Sequence, residues 1–438
     1  MKQDARFLAV TILNRFENKH EQLGLIRNQV FSQFKPEPLS KSRATVLANE
    51  TVRLKGRLDL MIEFISGKSL KRLDRSLRSI LQVGFYEILF DESVPDYAAV
   101  DSAVNLTKDI LNRKASGLTN AVLRNLIRKK DTDTNWDGPL REQSGWHSLP
   151  DWIQARWIDQ LGKKGFLDLT KRINQAPVLF VRVHSNTYTM DDIICLLSGS
   201  DIGSERFSES FLTIHSGAGQ VLETGLFQTG HISIQDPASG AVADCMEVKA
   251  GQTVLDVCAA PGTKSLYIAG LVGEEGQVLA SDLSPERVNR GRKDLNRHGL
   301  KNIRWSVKDA LKDEYPDADR ILIDAPCTGT GVMCRKPDIR WRRKPGDILE
   351  LSTLQLRVLC HVSQFLKPNG TLVYATCSIE PEENWDVVEQ FLKLNADFIV
   401  QDVPSSIPGD WVDERGCLYT LPHLHGVDGM FAAKLKRS

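Results

Sequence analysis

The chain has 438 residues, 41% of them hydrophobic and 26% charged, with 56 basic side chains against 56 acidic ones. That length predicts two or three domains and allows a large buried core. No apolar run approaches the roughly 18 residues of a membrane span, and the opening MKQDARFLAV has no apolar signal segment behind a basic one, so a membrane protein is excluded and a cytoplasmic location expected.

The charge is uneven along the chain. Residues 1–130 hold 23 Lys and Arg against 14 Asp and Glu, and the remainder 33 against 42. From Gln3 to about Lys130 the periodicity is helical: Ile80, Leu81, Gly84, Phe85, Ile88 and Leu89 make one apolar face, and Leu118, Val122, Leu123, Leu126 and Ile127 another. Pro95 separates two of these helices. Arg53, Lys55, Arg57, Lys68, Lys71, Arg72, Arg75, Arg78, Arg124, Arg128, Lys129 and Lys130 decorate them. Such a surface suits a phosphate backbone, and equally a solvated helical face.

DTDTNWDGPL (131–140) reads as a linker. Helical WIQARWIDQLG and FLDLTKRINQ follow, giving way at Pro177 to the strand VLFVRV, a helix from Met190 to Leu197 and short strands between Glu205 and Ile214. This stretch predicts a small α+β subdomain. From Gln235 strands and helices alternate as in a doubly wound sheet, with strands at 253–257, 277–281, 303–307, 320–324, 371–375 and 430–435. The clearest helices span 285–298, 347–366 and 381–394. Parallel strands with crossover helices are expected.

Chemistry concentrates at the ends of these strands. The first turn, Cys258, Ala259, Ala260, Pro261, Gly262, Thr263 and Lys264, is small enough for backbone to approach a ligand and opens a helix with free N–H groups. Asp282 ends the second strand and is placed for ribose hydroxyls, while Asp309 follows the third and could reach an adenine amine. A single glycine in the turn disfavours a dinucleotide and favours a phosphate-free ligand such as S-adenosylmethionine. The fourth strand runs into Asp324-Ala325-Pro326-Cys327, and the fifth into Cys377. Two cysteines at adjacent strand ends would share one crevice. Of the other thiols, Cys195, Cys245, Cys360 and Cys417 read as small hydrophobes. No CxxC pair occurs among the eight cysteines, so no metal site is indicated.

QDPASGA (235–241), DVCAAPGTKS, DAPCTGTG, PDIRW (337–341), YATCSIEPEEN and DGMFAAKL (428–435) fall in the order seen in the RNA 5-methylcytosine methyltransferases, which the chain resembles over nearly its whole length. PDYAAVDSAVNLTK and SGLTNAVLRNLIRK look like the NusB-type helical RNA-binding domain of the subfamily acting on small-subunit ribosomal RNA. Residues 131–234 match least. The resemblance implies an all-α NusB-like domain over 1–135, linker helices and a small α+β subdomain over 136–234, and an α/β Rossmann-like class I methyltransferase domain over 235–438. It also implies that Cys258 to Lys264, Asp282, Asp309 and Asp324 bind S-adenosylmethionine, that Cys377 is the nucleophile and that Cys327 assists product release. RNA is the implied partner, with no metal and no membrane, for a chain expected to be a monomer. Two departures stand out: the family's Gly-Gly-Lys-Thr is Gly262-Thr263-Lys264-Ser265 here, and Cys334 stands where arginine is common.

The implied reaction explains why two thiols are wanted. Carbon 5 of cytosine is a poor nucleophile until a thiolate adds to carbon 6, and the resulting adduct must then be resolved with help from a second group. Cys327 fits that second role, with Asp324 or Lys264 at the cytosine edge. Arg335, Lys336, Arg340, Trp341, Arg342, Arg343 and Lys344 offer charge and an aromatic surface to flanking RNA, or pack as a helix start. The rival readings are the same reaction on transfer RNA and a non-catalytic RNA-binding assembly factor.

Overall fold

The computed structural model describes residues 4–19, 21–184 and 187–438, so the expected helix start at Gln3 lies outside the described residues. The chain divides into two compact units, Met1–Ala176 with Met333–Arg343, and Pro177–Val332 with Lys344–Ser438. This division cuts across the three parts read from the sequence. The first unit extends past residue 135 and includes a segment from far along the chain, while the small sheet groups with the large one.

In the first unit the described residues form helices at Ala5–Lys19, Leu23–Phe34, Pro38–Arg53, Lys55–Ser66, Arg75–Phe90, Asp96–Ile110 and Arg113–Thr132. Their starts follow local chemistry. Asp74 accepts from the N–H groups of Ser76 and Leu77 at 2.8 and 3.3 Å, and Asn112 from Ala115 at 2.9 Å. Ile80, Leu81, Phe85, Ile88, Val122, Leu123 and Leu126 are buried as the periodicity predicts. Gly84 lets two helices close, because a Cβ there would stand 3.1 Å from both Leu123 methyls. No helix among the described residues is long and apolar enough to cross a membrane.

The stretch 131–140 is not a free linker. Trp136 and Leu140 are 7% and 3% exposed in the helical core, and Trp136 stacks on Phe64 with centroids 6.3 Å apart. Two apolar anchors hold a segment whose average composition is polar. Beyond it the two helical patterns form Asp151–Ile173, broken at Gly162, whose φ of 70° and ψ of 167° belong to no helix.

The basic residues of this unit divide into two classes. Lys68, Lys71, Arg72, Arg75, Arg124, Arg128 and Lys129 are exposed. Arg53, in contrast, is buried and donates to Cys334 O at 2.5 Å and to the Glu50 carboxylate at 2.9 Å. Arg340, for which both an RNA-facing and a packed helix-start role were open, is also fully buried. It donates to Arg53 O at 3.0 Å, Ser148 O at 3.3 Å, Ile173 O at 3.0 Å and Asn174 Oδ1 at 2.6 Å. Burial, and next the charge of Arg53, pull its pKa down to about 9. Charge count alone could not separate a buried arginine that caps carbonyls from one that meets phosphate.

The second unit contains both sheets. β1 (Leu179–Val183), β2 (Ser204–Arg206), β3 (Phe211–Ile214) and β4 (Ile232–Ile234) pair antiparallel in the order β2-β3-β1-β4. The helix Met190–Ser198 begins with a capping box between Thr189 and Asp192. The large sheet comprises β5 (Thr253–Val257), β6 (Gln277–Asp282), β7 (Ile303–Val307), β8 (Ala318–Asp324), β9 (Leu366–Thr376), β10 (Phe398–Gln401), β11 (Leu418–Tyr419) and β12 (Phe431–Arg437). Its order is β10-β12-β9-β8-β5-β6-β7, with β11 on β12. β5 to β9 pair in parallel, but β12 runs antiparallel to both β9 and β10, so the expectation of parallel strands throughout fails at one edge. The helix Trp385–Leu394 carries the chain across to β10, and β12 returns to fill the gap between β10 and β9. Apolar strand patterns carry no direction. All eight cysteines are free thiols; Cys245 and Cys417 are buried as expected, whereas Cys195 is exposed and Cys360 only half-buried.

Candidate active site

β5 has β6 and β7 on one side and β8 and β9 on the other, so the strand order reverses beside it. Ligand crevices open at the carboxyl ends of strands at such a point. Every site residue singled out from the sequence lies at the end of, or just after, β5, β6, β7, β8 or β9.

The turn after β5 is shaped by its backbone. Cys258 takes a φ of 62° and Gly262 one of 109°, and a Cβ on Gly262 would meet the Trp305 ring at 2.5 Å. Ala259 N–H donates to Ser281 O at 2.9 Å, and Ala260 N–H to Asp282 Oδ2 at 3.3 Å, which ties the turn to the end of β6. Asp282 is only 4% exposed. It also accepts from Ser284 N–H at 3.0 Å and pairs with Arg287 at 3.1 Å. Asp309 belongs to the same edge, since Lys308 N–H donates to Asp282 O at 3.2 Å. Its carboxylate accepts from Leu311 N–H at 3.0 Å and stands 3.4 Å from Lys312; the Leu311 bond, more than the lysine, lowers its pKa. Burial, and then Asp282 and Asp324, push the Cys258 thiol up to about 12.

Lys264, in the first turn of the helix Thr263–Val272, reaches Asp324 at the end of β8 with Nζ 2.9 Å from Oδ2. Burial works against its charge, but Asp324 and, more weakly, Cys377 raise its pKa. Beneath this pair lies Asp256 of β5, fully buried, which accepts from Ser265 Oγ at 2.5 Å and leaves its other oxygen without a partner. Burial, opposed by Ser265 and reinforced by Asp324 and Asp282, raises its pKa to about 7.

The two thiols meet. β8 and β9 pair with Asp324 opposite Ala375, and the loops that follow bring Cys327 Sγ to 3.2 Å from Cys377 Sγ. Close backbone packing fixes both loops: Gly331 N–H donates to Cys377 O at 3.0 Å, and a Cβ on Gly331 would collide with Gly429 O at 2.1 Å. The hydrogen bond to Cys377, then burial, and also Glu383 hold the Cys327 thiol well above its ordinary range.

Glu383 was not singled out in the sequence, yet it joins the two loops. Fully buried, it accepts from Thr328 N–H at 2.8 Å, Ser378 Oγ at 2.5 Å, Gln355 Nε2 at 3.0 Å and the Thr328 hydroxyl. Thr328 follows Cys327, and Ser378 follows Cys377. Burial raises its pKa although these donors oppose the shift. Asp256, Arg287 and Gln355 were missed as well; a lone acid inside the apolar strand TVLDV was the one visible signal.

A family model described as 16S rRNA methyltransferase RsmB/F matches residues 243–436, and a NusB family model matches residues 3–128. The ribosomal RNA small subunit methyltransferase B of Pasteurella multocida (strain Pm70) is 32% identical over 396 residues, covering 88% of this chain and 85% of its own. The chain belongs to the RsmB/F family of 16S rRNA methyltransferases. The probable ribosomal RNA small subunit methyltransferase B of Bacillus subtilis (strain 168) is 29% identical over 446 residues, covering 100% of this chain and 99% of its own. The crystal structure of PH0851 superposes with a TM-score of 0.79 at 25% identity, with both chains covered in full. This RsmB/F methyltransferase is accordingly an S-adenosylmethionine-dependent enzyme with a NusB-like helical domain. The crevice fits that cofactor. Asp282, Asp309 and Asp324 supply acceptors for hydroxyls and amines, the N–H groups of the helix start can receive a carboxylate, and the excess of acids suits a cationic sulfur better than a pyrophosphate.

Proposed function

We propose that this RsmB/F methyltransferase methylates carbon 5 of a cytosine in 16S ribosomal RNA, through a covalent bond between Cys377 and the base, in the cytoplasm. The observation that carries this reading is the pair of thiols 3.2 Å apart, beside Lys264 and Asp324. S-adenosylmethionine, when bound, supplies the methyl group on a positively charged sulfur; the turn from Cys258 to Lys264 with Asp282, Asp309 and Asp324 would hold it. Cys377, as the thiolate, adds to carbon 6, and the electron pair displaced toward carbon 5 makes that carbon nucleophilic. Lys264, whose charge is coupled to Cys377, favours the thiolate. Asp324, braced by Lys264, is the group to accept from the amino edge of the base.

Resolution needs the proton of carbon 5 to leave, so that its bonding pair can form the 5,6 double bond and expel Cys377. Cys327, held neutral by its surroundings, can give its proton to the departing sulfur and take the one from carbon 5, a net transfer from carbon to Cys377. The helical unit supplies RNA affinity without taking part in this chemistry. The test is one denaturing gel of labelled 16S rRNA. Cys377→Ser should neither methylate nor crosslink, whereas Cys327→Ala should transfer methyl and then persist as a protein–RNA adduct. An adduct with Cys377→Ser and none with Cys327→Ala would reverse the roles, and bisulfite sequencing of the product names the cytosine.

A further inference from the structure

The helical unit contains a cavity of about 370 Å³ lined by Phe16, Glu17, Lys55, Arg75, Arg78 and Trp341. That size lies within the roughly 300–1,000 Å³ of small-ligand sites. Three cations there share one carboxylate. Glu17 accepts from Arg78 Nη1 at 3.4 Å, while Lys55 Nζ and Arg75 Nε stand 3.8 and 3.9 Å from its oxygens. Lys55 also lies 2.9 Å from Asp59, whose other oxygen accepts from Gln82 at 2.6 Å. The Glu17 contacts are long, and Arg78 Nε is buried with no partner, so the cluster keeps donor capacity that its own acids do not use. Arg75 is half exposed and opens the cavity to solvent. Trp341, which also lines the cavity, is fixed by its Nε1 bond to Val52 O at 2.8 Å, and Lys55 Nζ lies 5.5 Å from its ring centroid.

We propose that this cavity receives one nucleotide of an RNA strand, with its phosphate on Arg75 and Arg78 and its base against Trp341. The inference rests on the RNA-methylating reading above and adds a nucleotide subsite within the helical unit. Clustered arginines with unused donors match phosphate oxygens. An aromatic wall beside them gives any base a surface to stack on, without selecting its sequence. Glu17 keeps the like charges together while the site is empty.

The experiment measures binding of a labelled single-stranded 16S rRNA fragment to the full-length protein by fluorescence anisotropy across a sodium chloride series. Wild type is compared with Arg75→Ala and with Arg124→Ala, which removes an exposed basic side chain outside the cavity. Losing one single-stranded phosphate contact lowers the log–log salt slope by about 0.7, roughly a fivefold loss of affinity at 0.1 M salt. That loss is expected for Arg75→Ala and a smaller one for Arg124→Ala. Unchanged binding in Arg75→Ala, or equal losses in both variants, would overturn the proposal, the latter by showing only a diffuse positive field. Cytidine monophosphate competing as strongly as the RNA would overturn it too, because the occupant would then be a free nucleotide. Absence of methyl transfer in the wild type would instead count against the proposed reaction and leave the binding result standing.

Discussion

Replacing Glu383 separates its two effects, one on the geometry of the thiol loops and one on the charge around them. In Glu383→Ala, four donors lose their acceptor. The two hydroxyls and Gln355 can turn to other partners, but the Thr328 N–H cannot. One stranded buried N–H costs about 1–3 kcal/mol, and the lost side-chain packing adds about 1–2 kcal/mol. A destabilisation of roughly 2–5 kcal/mol is therefore expected in urea denaturation, with kcat for methyl transfer falling more than KM because the two sulfurs lose their registry. Glu383→Gln keeps the shape and one carbonyl acceptor, and its amide can donate to the hydroxyls of Thr328 and Ser378, so stability should fall by only about 1 kcal/mol. What it removes is the negative charge that helps hold the Cys327 proton, after the Cys377 bond and burial. Alkylation of Cys327 by iodoacetamide, followed peptide by peptide in a pH series, should accordingly begin at lower pH in Glu383→Gln than in wild type. Wild-type stability in Glu383→Ala together with an unmoved alkylation profile in Glu383→Gln would refute the assignment of Glu383 as a positioning residue.

Two further substitutions test buried charges. Asp256 has a folded pKa of about 7, above its ordinary value, so the folded state holds a proton that the unfolded chain releases. Its stabilising contribution is complete below about pH 4, declines as pH rises toward 7 and is lost above it, a change on the order of 4 kcal/mol. Asp256→Asn should flatten urea stability across that window, and an unchanged pH dependence would contradict the assignment. Arg340→Met removes the donor to the carbonyls of Arg53 and Ser148, leaves Ile173 O only the longer bond from Arg53 Nη1 at 3.4 Å, and should cost about 2–5 kcal/mol of stability. The salt slope of RNA binding should stay at its wild-type value, whereas a shallower slope with full stability would favour Arg340 as a phosphate contact over its packed role.

The large sheet was legible because each of its parallel strands is a short apolar run between a turn and a periodic helix, and five of the six strands expected there lie in the parallel core. What escaped were features that a local pattern does not encode. β4, β10 and β11 span three, four and two residues, too short for alternation to register. The reversed direction of β12 depends on β10, which was not seen. The segment 131–140 misled because Trp136 and Leu140 act through single contacts, while linker composition is an average.

At the site, the residues that would touch substrate were easier to find than the residues that tune them. Cysteines and acids at the ends of successive strands stand out because the fold puts strand ends together: Cys327 meets Cys377, Lys264 meets Asp324, and Lys264 interacts electrostatically with Cys377. Glu383 and Asp256 act from underneath; the apolar strand TVLDV around Asp256 was a signal left unread, while nothing in the immediate neighbours of Glu383 along the chain distinguishes it from a surface acid. The same blindness applies to the thiols themselves. Their sequence contexts, DAPC and ATCS, say only that both reach one crevice. After the bond to Cys377 and burial, the Cys327 thiol is held up by Glu383, 56 residues further along the chain, whereas the ammonium that interacts with Cys377 belongs to Lys264, 113 residues before it. In the proposed reaction, a buried carboxylate beside one thiol and an ammonium near the other would give two chemically identical side chains the roles of proton donor and nucleophile. That asymmetry, rather than the presence of two cysteines, is what the proposed order of attack and release rests on, and the gel with Cys377→Ser and Cys327→Ala is what tests it.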